Sequence, residues 1–265
     1  MLKYINDALD DLKRGFAKSY LATMLGWQDI KQRYRRSKLG PFWLTISMGV
    51  MIGTIGVVFG QVFKTPMSEY LPFLATGIIL WTFFSTAIME GSSAFIEGSG
   101  MIRQLYLPLS LYPARVLWRN TIVLLHNIAI LPFLFLILGK GISWNICLVI
   151  PGFLLFILNL SWMTTMLGLL STRFRDMPQI INSILQVMFY ITPVIWVPSS
   201  LNPRSASMLM EPNPLYHLLQ VVRGPILGQQ PTMMNWMVSL LMALIGLSIT
   251  LVFFGKYKKR IAYWL

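Results

Sequence analysis

Two ionisable side chains fall where chemistry in an apolar setting would have to be done. Glu90 closes one long uncharged run and His126 lies inside another. Ionisable groups at membrane depth are costly and tend to be functional. Their surroundings complete no catalytic set. The sequence has no HExxH, no paired carboxylates, no Cys/His cluster at metal-ligand spacing and no GxxxxGK[ST] phosphate loop. Neither a bound metal nor a nucleotide site is expected of this chain, so any ATP it depends on would be bound elsewhere. His126 reads more readily as a helix–helix hydrogen-bond partner than as a catalyst, and Glu90 as an interfacial residue or a cap. Aromatic residues offer a different chemistry. Trp43, Trp81, Phe83, Phe84, Tyr190 and Trp196 stand near the ends of apolar runs. They fit the interfacial belt of a membrane protein, and they also fit a path for sugars, whose apolar C–H faces stack on aromatic rings.

The elements that must position these groups are long and apolar. Of 265 residues, 55% are hydrophobic and only 12% charged, where a soluble domain carries about 25% charged residues. Six uncharged stretches are each long enough for a membrane-spanning helix, which needs roughly 17–25 residues. They predict spans over about 42–63, 71–89, 121–138, 146–170, 177–196 and 236–254. A soluble helical protein has no need of six such stretches. A β-barrel would alternate apolar and polar residues, and these runs are apolar all round. The fold class is therefore all-α integral membrane, a single domain over residues 1–265.

The net charge of +13 is distributed unevenly. With the N-terminus inside, 18 Lys and Arg residues fall on the cytoplasmic side and 4 outside, as the positive-inside rule requires. Both ends are thus expected in the cytoplasm. The basic residues flank spans, which argues against nucleic-acid binding. The first span begins too far from the start for a cleaved signal peptide, and it is expected to stay as an anchor. Cys147 has no partner for an internal disulfide and reads as a small apolar residue.

Before the first span, Ile5, Leu9, Leu12, Phe16, Tyr20, Met24, Trp27, Ile30 and Tyr34 recur every three or four residues. That period predicts an amphipathic helix on the cytoplasmic face of the bilayer, interrupted near Gly26. Arg33, Arg35, Arg36 and Lys38 follow it, placed to meet anionic headgroups. In span one, Gly49/Gly53 and Gly56/Gly60 have small-xxx-small spacing, a signature of close helix contact. Residues 90–120 are too polar to span and are punctuated by Pro108 and Pro113. Residues 197–235 form a proline-rich external stretch in which 215–227 is apolar enough to dip into the bilayer.

Several motifs carry a resemblance to a family. Asp29-Ile-Lys-Gln-Arg-Tyr-Arg-Arg-Ser-Lys-Leu-Gly-Pro-Phe-Trp43, Gly100-Met-Ile-Arg-Gln-Leu-Tyr-Leu-Pro108, Phe174-Arg-Asp176, Ile191-Thr-Pro193, Asn213-Pro-Leu215 and the basic tail stand in order along nearly the whole chain. Together they resemble the permease subunits of type-2 ABC exporters that move O-antigen, capsule or teichoic-acid chains. One departure is Ile46 to Gly49, where an early proline in span one would be usual.

The resemblance implies an ATP-driven exporter of lipid-linked polysaccharide in the bacterial inner membrane. It implies a homodimer, with spans one and five lining the path, that docks two copies of a separate nucleotide-binding ATPase carrying ATP and Mg. It also implies a coupling helix at that contact, with Glu97, Gly98, Met101, Ile102, Arg103 and Gln104. Arg173, Arg175 and Asp176 would make a second cytoplasmic contact. The aromatic path would comprise Trp43, Trp81, Phe84, Tyr190 and Trp196. A drug or lipid exporter of the same class is the nearest alternative. An integral-membrane glycosyl- or acyltransferase, or a passive channel, would work without an ATPase.

Overall fold

The structure is a computed structural model that describes residues 2–35, 40, 42–63, 65–141 and 143–265. Among these the chain is helical, with no strand. The helices, in order, are α1 (Leu2–Ala17), α2 (Ser19–Tyr34), α3 (Phe42–Phe63), α4 (Met67–Ser92), α5 (Ala94–Glu97), α6 (Ser99–Gln104), α7 (Leu111–Ile128), α8 (Ile130–Ile137), α9 (Val149–Arg173), α10 (Met177–Ile191), α11 (Pro203–Met210), α12 (Pro214–Ile226) and α13 (Met233–Trp264). A 3₁₀ turn, Trp144–Leu148, leads into α9.

Among the described residues, five segments are long and apolar enough to cross a membrane: α3, α4, the α7–α8 pair, α9 with its leading turn, and α13. The expected sixth, α10, is shorter, at 15 residues. It is about 22 Å long, against a hydrocarbon core of about 30 Å. Thr192-Pro193 stops it, because proline disfavours helical geometry in the residue before it and supplies no N–H.

Other boundaries also move. The chain breaks between α1 and α2 at Lys18, not near Gly26. Gly26 lies within α2, where an added Cβ would stand 3.1 Å from the Arg115 carbonyl of α7. The glycine thus marks close packing, which its spacing alone does not distinguish from a break. α7 starts at Leu111, well before the expected position near 121. Pro113 sits in its first turn, where the missing N–H has no intrahelical partner to lose.

α4 is the centre of the bundle. Most of its apolar stretch is buried (72%), against 17% for α3. It packs on α9 through Phe83 and Phe156, stacked at 5.8 Å, and through Gly91, where a Cβ would lie 2.4 Å from Thr164. Lipid tails are as apolar as leucine, so close van der Waals packing through small residues holds such helices together.

α12 packs between α4, α9 and α13 and is buried nearly all round from His217 to Pro225. It supports the non-helical backbone after α10. Arg223, only 2% exposed, donates to the Pro193 carbonyl at 2.6 Å and lies over the Phe73 ring. Asn213 donates to the Thr192 hydroxyl at 2.9 Å, and the Tyr70 hydroxyl donates to the Ile195 carbonyl at 2.9 Å. Irregular backbone away from water is tolerated only when its polar groups are satisfied in this way.

Candidate functional site

At one end of the bundle, three helices are fastened by charge. α2 supplies Asp29 and Arg33, α4 supplies Glu90 in its last turn, and α7 supplies Arg115, Arg119 and Asn120. Arg115 forks onto Asp29, with Nε 2.7 Å from Oδ2 and Nη2 on Oδ1. Arg119 bridges two carboxylates: Nη1 is 2.9 Å from Asp29 Oδ2, and Nη2 is 2.9 Å from Glu90 Oε2. Arg33 reaches Glu90 Oε1 at 3.0 Å, and the Asn120 amide donates to Oε2 at 2.7 Å. Forked guanidinium–carboxylate pairs of this kind are charge-assisted and geometrically specific. Burial raises the Asp29 pKa, but Arg115 and Arg119 outweigh it and hold the carboxyl below its usual range. The spacing of Asp29 and Arg33, one helical turn apart, aims both at α7 and α4.

This arrangement revises two expectations. Arg33 turns toward Glu90, while Arg35 is exposed; Arg36 and Lys38 lie outside the described residues. Glu90 is the acceptor at the centre of the cluster. Sequence reading did not join Asp29, Arg115, Arg119 and Asn120 to it. Their alignment requires α7 to begin at Leu111, nearly three turns before the expected span.

The expected coupling segment runs beside this cluster. Glu97 ends α5, largely exposed, near Arg115 and Arg119 but bonded to neither. Burial raises its pKa; Arg119 and Arg115 oppose the rise, while Glu90 and Asp29 add to it, and the carboxyl stays above its usual range. Gly98 lets the turn between α5 and α6 pass the Tyr112 ring, which an added Cβ would meet at 2.5 Å. Met101 and Ile102 are half-buried against a cluster that includes Phe95, Tyr112, Phe254 and Ile261. Arg103 and Gln104 are exposed, so α6 is rooted on one side and open on the other.

Across the same end, Arg173 lies over the Trp264 ring and Arg175 donates to the Trp264 carbonyl at 3.2 Å. Asp176 occupies the N-cap position of α10 without a side-chain cap bond.

The aromatic residues divide. A groove of about 440 Å³ runs between α3, α4 and α10, with Trp81 and Tyr190 on its wall. Phe189 links them, packing on Trp81 at 5.6 Å and on Tyr190 at 5.4 Å. Phe84 is not on that wall: it is 4% exposed and packs edge-on against Phe156, so it offers no open face. Trp43 is exposed at the start of α3, and Trp196 donates to the Tyr190 carbonyl at 2.9 Å, beyond the end of α10.

Polar residues that sequence reading passed over share the groove. Thr82, Ser85 and Thr86 line it from α4, and Asn182 and Gln186 from α10. Gln179, Asn182, Gln186 and Tyr190 are all exposed and follow at steps of three and four, a polar stripe along a short apolar helix. That periodicity was present in the sequence, hidden by the apolar average of the run. Among the described residues neither Asn182 nor Gln186 has a hydrogen-bond partner, and lipid would leave both amides unsatisfied at a cost of several kcal/mol each. Glu90 lines one end of the groove and belongs also to the ion cluster, so cluster and groove share a carboxylate.

His126 does not face the groove. Its Nδ1 is 2.8 Å from the Ile122 carbonyl of its own helix, and its backbone carbonyl accepts from Thr45 of α3 at 3.3 Å.

Residues 20–227 match the protein family described as "ABC-2 type transporter". Among curated proteins, an O-antigen export system permease protein RfbA of Myxococcus xanthus is 25% identical over 194 residues, covering 72% of this chain and 74% of that protein. One of the same designation from Klebsiella pneumoniae is 24% identical over 243 residues, covering 89% and 91%. The matched region takes in the ion cluster, the segment from α5 to α6, the groove and α12. The chain is a multi-pass protein of the bacterial inner membrane, and it belongs to the ABC-2 transporter membrane family.

Proposed function

We propose that this chain is the membrane subunit of an ATP-driven exporter of lipid-linked polysaccharide. The observation that carries the proposal is the mixed groove between α3, α4 and α10. Its unpartnered Asn182 and Gln186 amides call for a watery or glycan-filled path, and Tyr190, 73% exposed, supplies a face on which sugar rings can slide. The names of the relatives, O-antigen export permeases, support a polysaccharide cargo over a drug or a lipid.

The chain works as a homodimer in this reading. α3 is sparsely covered by its own chain, and a Cβ at Gly49 or Gly53 would meet nothing within 4 Å. A second copy facing that surface would close the groove into a channel. Two copies of a separate ATPase, holding ATP and Mg, dock on the cytoplasmic end against α6 and its exposed Arg103 and Gln104. Closure of the ATPase pushes α6. The push passes through Glu97 and the ion cluster to Glu90, and so to the groove wall. α10 and the buried α12 form the outer end of the path, with α12 set into the bilayer as a re-entrant element.

The test is purification of the tagged chain from native membranes in mild detergent, with identification of co-purifying proteins. A one-to-one partner carrying a phosphate-binding loop, and ATP-dependent export on reconstitution, are expected. Glycan export that proceeds without ATP or a partner would refute the reading.

A further inference from the structure

A second cavity, of about 600 Å³, opens on the flank of α9 and α13, at the end of the bundle that carries α6 and that the proposed function places in the cytoplasm, away from the groove. Its floor is apolar: Leu170 and Phe253 belong to segments long enough to span the membrane. Its rim is a ladder of rings and cations. The Arg173 guanidinium lies 5.7 Å from the Trp264 ring, Trp264 lies 5.7 Å from Tyr257, and the Arg260 guanidinium lies 5.9 Å from Tyr257. No acidic residue is among those lining the cavity. Among the described residues, neither Arg173 nor Arg260 forms an ion pair or a side-chain hydrogen bond.

Stacking on a ring occupies the flat face of a guanidinium and leaves its in-plane N–H donors free. Two such forks at opposite ends of one ladder are organised for an anion with several acceptor oxygens. The helix length sets the depth. α13 has 32 residues and is about 48 Å long, well beyond a hydrocarbon core of about 30 Å. Its last turns therefore stand at headgroup level, where Trp and Tyr are at home.

We infer that this cavity binds an anionic phospholipid of the cytoplasmic leaflet. The phosphate sits between Arg173 and Arg260, and an acyl chain lies along Leu170 and Phe253. A hydrocarbon floor continuous with the spans, beneath a cationic rim, fits a phospholipid better than a protein segment. Tyr257 and Phe253 also pack in the cluster that roots Met101 and Ile102 of α6, so a lipid held there would brace that helix.

The test is a titration of the full purified chain with phosphatidylglycerol, read by native mass spectrometry, with phosphatidylcholine and inorganic phosphate as competitors. The double variant Arg173→Gln/Arg260→Gln is expected to lose phosphatidylglycerol affinity at least about tenfold, as removal of charge-assisted bonds requires. Lys140→Gln/Arg204→Gln removes two charges elsewhere and is expected to change nothing. A photoactivatable phosphatidylglycerol should cross-link the wild-type chain within 169–174 or 253–264, a readout that does not depend on the variant folding. Several results would overturn the inference: affinity within about twofold of wild type in the double variant, equal retention of phosphatidylcholine, full displacement by inorganic phosphate, or cross-links elsewhere. Normal lipid retention with loss of the co-purifying ATPase would assign the surface to a protein partner instead.

Discussion

Glu90 Oε2 lies 2.9 Å from Arg119 Nη2, so one end of the groove wall is tied to the middle of α7. Removing the carboxylate would leave Arg119, Arg33 and Asn120 without their shared acceptor. Breaking a buried pair on one side commonly costs about 3–5 kcal/mol. For Glu90→Ala the lower end, about 3 kcal/mol, is expected, because the side chain keeps 23% exposure. Thermal unfolding in detergent checks this. The double variant Glu90→Ala/Arg119→Met should cost less than the sum of the two single changes.

Asp29 gives the cluster a pH dependence of definite sign. Its folded-state pKa lies below the unfolded value. The stabilisation is therefore complete above the unfolded value, about pH 4, and is lost as pH falls through the lower folded-state value. Unfolding curves of wild type and Asp29→Asn should converge only at the acid end of that window. A constant gap down to the lowest accessible pH would mean that Asp29 acts through packing alone.

Glu97 has the opposite sign. Its folded-state pKa is raised, so ionisation opposes folding once pH rises above the unfolded value. Glu97→Gln should raise the melting temperature at pH 7 and lose that advantage near pH 4. In a reconstituted transporter the same variant should hydrolyse ATP with reduced export. A variant that is more stable yet less well coupled marks a residue kept for transmission; unchanged export would remove Glu97 from the coupling route. Arg103→Ala should also uncouple export from hydrolysis, with no change in melting temperature, since its side chain is exposed.

The groove makes a prediction about cargo. Asn182→Leu and Gln186→Leu remove amides that have no partner, and in detergent they should leave stability within about 0.5 kcal/mol of wild type, as for other surface changes. Export should fall several-fold in both. Tyr190→Ala should behave the same way, while Phe84→Ala should destabilise the bundle by about 3–5 kcal/mol, as for other buried aromatics. Export rates measured beside melting temperatures separate the two outcomes.

Gly53→Leu tests the proposed second copy. A Cβ at Gly53 meets nothing within its own chain, so the folded chain should tolerate the larger residue. If α3 faces another copy closely, cross-linking or light scattering should show loss of the dimer at unchanged melting temperature.

Much of this architecture was legible in the residues, for reasons that also explain where reading stopped. Hydropathy found the five long helices because lipid demands long uncharged runs, and charge is the easiest signal to see. It overreached at 177–196, where apolar composition continues past Pro193 but the helix does not. Composition cannot register where backbone geometry ends a helix. The ion cluster was out of reach because Asp29, Glu90 and Arg119 are far apart along the chain, and only packing brings them together. Phe84 and Trp81 stand three residues apart on one helix, and no local signal shows which of them faces Phe156. The Gln179–Asn182–Gln186 stripe was readable in principle, since a polar face on a membrane helix has its own period.

The first and last helices of the chain close on each other. Lys258 donates to the Asp7 carbonyl, and Gly255 leaves no room for a side chain against the Tyr4 backbone. α1 is made well before its partner surface on α13. Roughly 240 residues separate them, a delay of roughly 10–50 s at ordinary translation rates. During that interval α1 has only part of its seat, the Leu109 and Ser110 backbone that bonds Asp11. Its strongly two-sided face is suited to lie on the bilayer while the rest of the bundle is inserted. The helix is thus seated late in assembly although it is made early, and the end of α13 acts as the latch that seats it.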